Sequence, residues 1–327
     1  MTLSYIIPLY NGSSTIVRCL DSIYAAGLGH DDFEVIVVDD CSSDDSVDIV
    51  RQYAMSHPNF QIIQHSVNRR QGGAKNTGIG AAQGKYIVLA DQDDEIVPEN
   101  QTEILRVARE QSADIISFQW LETVNGETKL RFIRHCSETD FSGVGFCEKV
   151  FDPSDSLAPW SYLYRREYLM GQDHLFAENV MMEDADWIAW HLIHAERVHR
   201  EELPVYRWMR NDQSITSSIS WRFKADFVLY GFRKIEDAKK YEVLSSKFAQ
   251  MMREDGVYNI ESSLRTLWKA DQYRPFYEKI GEVTLFRLRQ MSWSFRTSFI
   301  LRHPSATCLL LSCVGPFLKA VKRIKTK

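Results

Sequence analysis

Short, partly β-branched apolar runs alternate with stretches of helical periodicity along the first 95 residues, and this alternation constrains the fold more than any other feature of the chain. The runs are Leu3-Ser-Tyr-Ile-Ile-Pro-Leu9, Phe33-Glu-Val-Ile-Val-Val38, Phe60 to Gln64 and Tyr86 to Ala90, and each reads as a buried strand. Between the first two, Ile16, Val17, Leu20, Ile23 and Tyr24 recur at helical spacing, with Ser13 or Ser14 placed to cap. A second helix is expected from Ser42-Ser43-Asp44-Asp45 to about Met55, and a third over 71–83. Strands alternating with helices predict right-handed crossovers and an α/β fold with a mainly parallel, Rossmann-like sheet flanked by helices. Pro8 must then sit at a strand end, because it has no N–H for a central ladder.

In such sheets ligands bind beyond the carboxyl ends of the strands, so the residues that follow each run are the candidate site. Pro8-Leu-Tyr10-Asn11, Asp39-Asp40 and Asp91-Gln92-Asp93-Asp94 all fall on that edge. Continued strand alternation would put Asp91 and Asp93 on one side and Gln92 on the other, so that two carboxylates converge on a hard divalent cation and leave positions open for substrate phosphates. Alternatively, the acids are a turn after a strand. Tyr10 is either a surface aromatic or a stacking platform for a base. Asp39 and Asp40 either cap the following helix or supply an acceptor for the N3 hydrogen of a uracil. Gly72-Gly73 permit close approach to a ligand, with Arg69, Arg70 and Lys75 adding positive charge, or form a helix-entry turn. The string Gly78-Ile-Gly80-Ala-Ala-Gln-Gly84 is not a dinucleotide fingerprint, since it precedes a strand and has the wrong spacing, and there is no Walker A lysine motif.

A length of 327 residues suggests one large domain or two, and 44% hydrophobic with 25% charged residues are ordinary for a globular protein. The net charge of −5 argues against nucleic acid as a partner. Cys19, Cys41, Cys136, Cys147, Cys308 and Cys313 show no paired spacing, and the first residues enter a strand directly, so a cytoplasmic location is expected. After Glu282 no acid occurs, whereas nine Lys and Arg residues from Arg287 to Lys327 do.

Ile6-Ile-Pro-Leu-Tyr-Asn11, Val37-Val-Asp-Asp-Cys-Ser-Ser-Asp44, Gly73-Ala-Lys-Asn-Thr-Gly78 and Gly84-Lys-Tyr-Ile-Val-Leu-Ala-Asp-Gln-Asp-Asp94 resemble, in order, the blocks of family 2 inverting glycosyltransferases of the GT-A fold. The resemblance implies a nucleotide-sugar donor, usually a UDP-sugar. Pro8, Tyr10 and Asp40 would lie at the nucleoside, with Asn11, Asp39, Gly73, Lys75, Asp91 and Gln92 completing the donor site. Asp93 would be the principal ligand of Mn2+ or Mg2+, with Asp91 beside it. Lys75 stands where the family more often has Arg, and Cys41 where Gly or Asn is frequent.

Further along, Ala158-Pro-Trp-Ser-Tyr-Leu-Tyr-Arg165-Arg166 resembles the family's Trp-x-Lys-x-Tyr-Arg segment before the acceptor site, with Tyr162 in place of the usual Lys. Met181-Met-Glu183-Asp184-Ala-Asp186-Trp187 places acids at a helix start, where the dipole alone would favour them. The family, however, has its catalytic base in this Glu-Asp pair, so the resemblance implies Asp184 as base and puts Glu183, with Trp160, at the acceptor. His191 and His194 share a helix face and are taken as structural. The segment from Arg210 to Thr216, with Arg207 at its approach, is either a lid over the diphosphate or a plain surface loop.

Residues 1–220 are thus expected to form the catalytic domain, divided into a nucleotide-sugar half (1–97) and an acceptor half (98–220). Residues 221–327 are expected to form a helical extension. Its basic, aromatic end fits either an interfacial anchor at the inner face of the plasma membrane or a helix packed on protein, and 306–318 is too short an apolar run to span a bilayer. A receiver-type domain is excluded because its acidic pair would follow the first strand, which here ends in Pro8-Leu9-Tyr10. A nucleotidyltransferase would need a Gly-rich basic loop there. The expected function is metal-dependent, inverting transfer of a hexosyl or N-acetylhexosaminyl group to a saccharide or lipid-linked saccharide in bacterial surface-polysaccharide synthesis. A non-catalytic nucleotide-sugar binding module is the alternative.

Overall fold

The computed structural model describes residues 1–131, 136–153, 157–180, 182–210 and 221–266. The chain divides into two compact units at Asn211 and Asp212.

In the first unit a ten-stranded sheet runs in the order β3-β2-β1-β4-β9-β6-β10-β5. The strands are β1 (Leu3–Leu9), β2 (Phe33–Asp39), β3 (Phe60–Gln64), β4 (Tyr86–Leu89), β5 (Glu95–Ile96), β6 (Ile115–Val124), β9 (Tyr162–Arg165) and β10 (Val198–Arg210). Two more lie off this path: β7 (Glu127–Arg131) pairs β6, and β8 (Asp140–Phe141) pairs β10. Strands β3, β2, β1 and β4 are mutually parallel, as expected. They are joined through α1 (Ile16–Tyr24), α2 (Ser46–Ala54) and α3 (Arg70–Ala81). Strands β1, β2 and β4 are buried throughout, because helices or loops cover both faces and the apolar runs have no solvent side. Then β9 enters antiparallel between β4 and β6, and β6 and β10 resume a parallel pair.

Pro8 is accommodated inside β1 because β4 stops short of it: the β1–β4 register ends at Ile6 opposite Leu89, leaving no ladder bond for Pro8 on that side. Helix α3 lies close on β1, and a Cβ at Gly78 would come within 2.3 Å of Ile6 Cγ2. The Asn125-Gly126 turn joins β6 to β7 with positive φ at both residues (51° and 84°), the twist a two-residue hairpin favours. Neither Ser13 nor Ser14 caps α1: Thr15 occupies that position without a side-chain cap, and its hydroxyl turns back to the Gly12 carbonyl. The remaining helices of this unit are α4 (Gln101–Glu110), α5 (Gly143–Lys149), α6 (Arg166–Met170) and α7 (Asp184–His194).

The second unit contains α8 (Trp221–Tyr241) and α9 (Ser246–Thr266), a hairpin whose helices touch at glycines. A Cβ on Gly231 or on Gly256 would stand 2.6 Å from the other's carbonyl oxygen. Lys234 on α8 pairs with Asp255 on α9 at the same crossing. Among the described residues no helix is long and apolar enough to cross a membrane. The basic segment from Arg287 and the loop from 211 to 216 lie outside the described residues.

Candidate active site

The ends of β1, β2 and β4 meet in a hydrogen-bonded rim. Asn11, at φ 49°, donates its backbone N–H to Ser42 Oγ (2.9 Å) and accepts from Ser43 N at its Oδ1 (2.8 Å), which ties the β1 loop to the β2 loop. Gln92 clasps the Tyr10 backbone from the β4 side: Tyr10 N donates to Gln92 Oε1 (2.8 Å), and Gln92 Nε2 donates to Tyr10 O (3.1 Å). A side chain at Gly12 would displace that amide, which stands 2.6 Å from where its Cβ would lie. With its backbone held on both sides, Tyr10 leaves its side chain 51% exposed at the rim.

Behind this rim Asp39 and Asp40 are both buried. Asp39 Oδ1 accepts from Ser42 N (3.1 Å), and Oδ2 from Gln64 Nε2 (3.4 Å). Asp40 Oδ1 takes two donors, the His65 imidazole (2.8 Å) and Arg69 N (2.8 Å), while His65 Nε2 meets Thr77 Oγ1 (2.9 Å). Asp40 therefore also organises the entry to α3. Cys41 lies at φ 66°, the left-handed region that Gly and Asn tolerate best.

Residues 91–94 form a turn, closed by Asp94 N to Asp91 O at 3.2 Å, so the strand alternation expected for these acids stops at Leu89. The turn sends its carboxylates in separate directions. Asp91 Oδ1 accepts from Gln71 Nε2 (2.9 Å), and the Asp91 N–H donates to Tyr206 Oη (2.9 Å). Asp94 is 3% exposed and is filled by Tyr206 Oη (2.8 Å) and Met209 N (2.8 Å). Asp93 O accepts from Arg18, whose guanidinium also pairs with Glu95 (3.2 Å). Burial raises the carboxyls of Asp91, to about 6, and of Asp93 and Asp94. Asp91 and Asp93 repel one another, and Lys75 offsets part of the rise at Asp91. Among the described residues no group of three or more His, Cys, Asp or Glu is arranged to hold a metal. Two hard carboxylates with surplus negative charge nevertheless suit a divalent cation that takes its remaining oxygens from a diphosphate.

Opposite the acidic turn stands the N-terminus of α7. Glu183 is 6% exposed and paired with Lys75 Nζ at 2.8 Å, and Lys75 itself is 2% exposed. Burial disfavours the Lys75 ammonium, but Glu183 first, then Asp91 and Asp184, more than offset it and hold the charge. Asp184, the first residue of α7, has a buried Oδ1 that accepts no hydrogen bond from the protein. Burial and the Glu183 charge raise its carboxyl to about 6 against the pull of Lys75.

Several expected residues make contacts within the protein. Lys75 reaches inward to Glu183 and away from the rim. The close approaches at Gly72 and Gly73 are to protein: a Cβ would meet Ala177 O at 2.2 Å and Arg69 Cβ at 2.4 Å respectively. Trp160 and Glu183, expected at the acceptor, are both buried, and Trp160 stacks on Tyr206 with centroids 4.4 Å apart and planes 8° apart. Arg207 pairs with Glu95 (3.2 Å), and Arg210 pairs with Glu122 (3.1 Å) while lying over Trp208. His191 is buried, with burial lowering it to about 3, and its Nε2 meets His174 O (3.1 Å), so it is a neutral packing residue. Tyr206, which braces the acidic turn, carries no local motif: it comes from β10, 115 residues after Asp91.

A parallel sheet edge with an exposed aromatic, buried acids at two strand ends and, at the start of α7, a buried carboxylate oxygen without a donor make up the candidate active site. Residues 4–165 match the model of glycosyl transferase family 2, and this part of the chain is a domain of that family. It is 26% identical over 223 residues to the uncharacterized glycosyltransferase YibD of Escherichia coli K12, covering 65% of this chain and 63% of that one. It is 37% identical over 127 residues to a poly(ribitol-phosphate) beta-glucosyltransferase of Bacillus spizizenii, covering 38% of this chain and 20% of that one. The match thus spans less than two thirds of either relative. The crystal structure of Staphylococcus aureus TarS 1–349 in complex with UDP-GlcNAc superposes with a TM-score of 0.61 at 21% identity, covering 95% of this chain and 89% of that one, and shares the fold.

Proposed function

We propose that the protein transfers a hexosyl or N-acetylhexosaminyl group from a nucleotide sugar, a UDP-sugar by preference, to a hydroxyl of a saccharide or lipid-linked saccharide, with inversion. The observation that carries the reading is Asp184: a buried carboxylate oxygen without a hydrogen-bond donor, at the start of α7 and within electrostatic reach of Asp91. A structural acid at a helix start would be satisfied, as Asp94 is by Tyr206 and Met209. An unsatisfied one is poised to receive a proton.

In this mechanism Tyr10 stacks on the base, and Asp39 and Asp40 face the nucleoside. Asp184 Oδ1 accepts the proton of the acceptor hydroxyl as that oxygen bonds to the anomeric carbon. The bond from that carbon to the β-phosphate oxygen breaks in the same displacement, its electron pair leaves with the diphosphate, and the proton passes from Asp184 to solvent. A single displacement inverts the anomeric centre and requires no carboxylate nucleophile on the opposite face. A Mn2+ or Mg2+ ion held by Asp93 with Asp91 would offset charge on the departing diphosphate. A role in bacterial surface-polysaccharide synthesis is supported by the poly(ribitol-phosphate) relative. Contact of the basic C-terminal segment with an anionic leaflet would suit a lipid-linked acceptor.

The test is release of nucleoside diphosphate from UDP-, GDP- and dTDP-sugars with Mn2+ and a lipid-linked acceptor extract, for wild type, Asp93→Ala and Asp184→Asn. Turnover of one UDP-sugar, lost in both variants while Asp184→Asn still binds donor, is the expected result. A wild-type chain that neither binds nor turns over any sugar nucleotide overturns the reading.

A further inference from the structure

The chain bearing the base is strapped to α3. Arg69, just before that helix, pairs bidentately with Glu178. Gly72 lies under Ala177, where any Cβ would meet its carbonyl at 2.2 Å. Asn76 exchanges two hydrogen bonds with the Phe176 backbone, each 2.9 Å. Residues 69, 72 and 76 share one helix face, so 176–178 runs along that face as a strap. The strap then continues through Asn179 and Met182, both at φ 59°, to Glu183.

Lys75 is the last fastening of this strap, and it is buried. Its Nζ holds Glu183 Oε1 at 2.8 Å, and its stem lies beside Phe176, with the ammonium 5.2 Å from the ring centroid. Phe176 in turn stacks on Trp187 of α7, centroids 4.0 Å apart. Two adjacent carboxylates, Glu183 and Asp184, stand at the start of α7, and Lys75 engages the first. The second keeps an oxygen without a donor.

We infer that Lys75 is a positioning residue for the transfer reaction: by holding Glu183 Oε1 it fixes the start of α7, and with it the place of the adjacent Asp184 carboxylate relative to the acceptor. The inference rests on the assignment of Asp184 as the base. It moves Lys75 out of the donor's first contacts and makes it act through Glu183.

The test compares Lys75→Met, Lys75→Arg and the double variant Lys75→Met with Glu183→Gln, using the intact chain. Steady-state transfer gives kcat and the donor KM, and calorimetry with UDP and Mn2+ gives donor-site affinity independently of turnover. Lys75→Met leaves Glu183 a buried, unpaired charge and can fail to fold, whereas the double variant removes both charges. The expected result is a fall in kcat of about 10²-fold in the double variant, the scale set by misplacing a reacting group by about 1 Å, with UDP affinity unchanged. Lys75→Arg should restore most of the loss. Wild-type kcat in the double variant reduces Lys75 to a counter-ion and overturns the inference, and so does weakened UDP binding with kcat intact, which places Lys75 on the diphosphate. Each of these outcomes leaves glycosyl transfer standing. A wild-type chain without any turnover overturns both.

Discussion

The rim proposed to face the donor and the segment proposed to carry the base differ in how their polar groups are paired. On the rim nearly every polar group is committed: Asn11 to Ser42 and Ser43, Gln92 to Tyr10, Asp40 to His65 and Arg69. At the start of α7, Asp184 Oδ1 is buried without a donor although Lys75 and Glu183 beside it are paired with one another. On the proposed reading, binding is served by preformed geometry, which lowers the cost of ordering on association, and proton transfer by a group whose hydrogen bond is left for the substrate. An unsatisfied buried polar group costs about 1–3 kcal/mol, and the paired network around Asp184 is what sustains it.

The largest expected effect separates the two regions directly. Asp184→Asn should lower kcat by about 10²–10⁴-fold, the range for loss of a general base, while donor affinity stays near wild type. Equal losses in kcat and donor affinity would mean that Asp184 belongs to the binding region. Next, Tyr10→Ala should weaken donor binding by about 1–3 kcal/mol, the range for base stacking, with kcat at saturating donor little changed. Calorimetry against UDP reads this, and an unchanged affinity would remove Tyr10 from the nucleoside contact.

A pH profile sharpens the same contrast. Burial first, then Glu183, raises the Asp184 carboxyl to about 6, with Asp91 adding and Lys75 opposing. Below that value the carboxyl is protonated and cannot accept the acceptor's proton. Measured at saturating donor and metal, kcat should therefore rise with pH and level off above an acid limb near 6. A kcat flat from pH 5 to 8 would contradict the assignment of the base.

The strands and the rim were legible in the sequence because their determinants are local. Buried parallel strands must be apolar runs, and residues such as Tyr10 and Asp39 follow them directly. The supports were not legible, because they join residues distant in sequence: Tyr206 braces Asp91 and Asp94 from β10, and Lys75 on α3 holds Glu183 on the approach to α7. Asp91 and Asp93 were identified as a pair, but their presentation was not, since the turn begins where β4 ends at Leu89. Glu183 and Trp160 carried motif resemblance, and their burial is a matter of packing that the motif does not encode.

The smallest expected effect concerns the rim's own cost. Cys41 sits at φ 66°, and a left-handed L-residue costs roughly 1–2 kcal/mol, so the donor edge is fully bonded but not free of backbone strain. Its thiol returns a weak bond to His65 O at 3.1 Å, on the residue that also holds Asp40. Cys41→Gly relieves the φ cost and loses that bond, while the glycine adds about 0.5–1 kcal/mol of chain entropy to the unfolded state. The opposing contributions should leave stability within about 1 kcal/mol of wild type, read as the denaturant midpoint. Cys41→Val adds a β-branched side chain at the same φ and should instead be destabilising by roughly 1–3 kcal/mol. If Val is tolerated as well as Gly, the loop relaxes, and the rim is less preformed than its hydrogen bonds indicate. If Gly is neutral and Val is not, the backbone at Cys41 is fixed by its surroundings, as a preorganised donor edge requires.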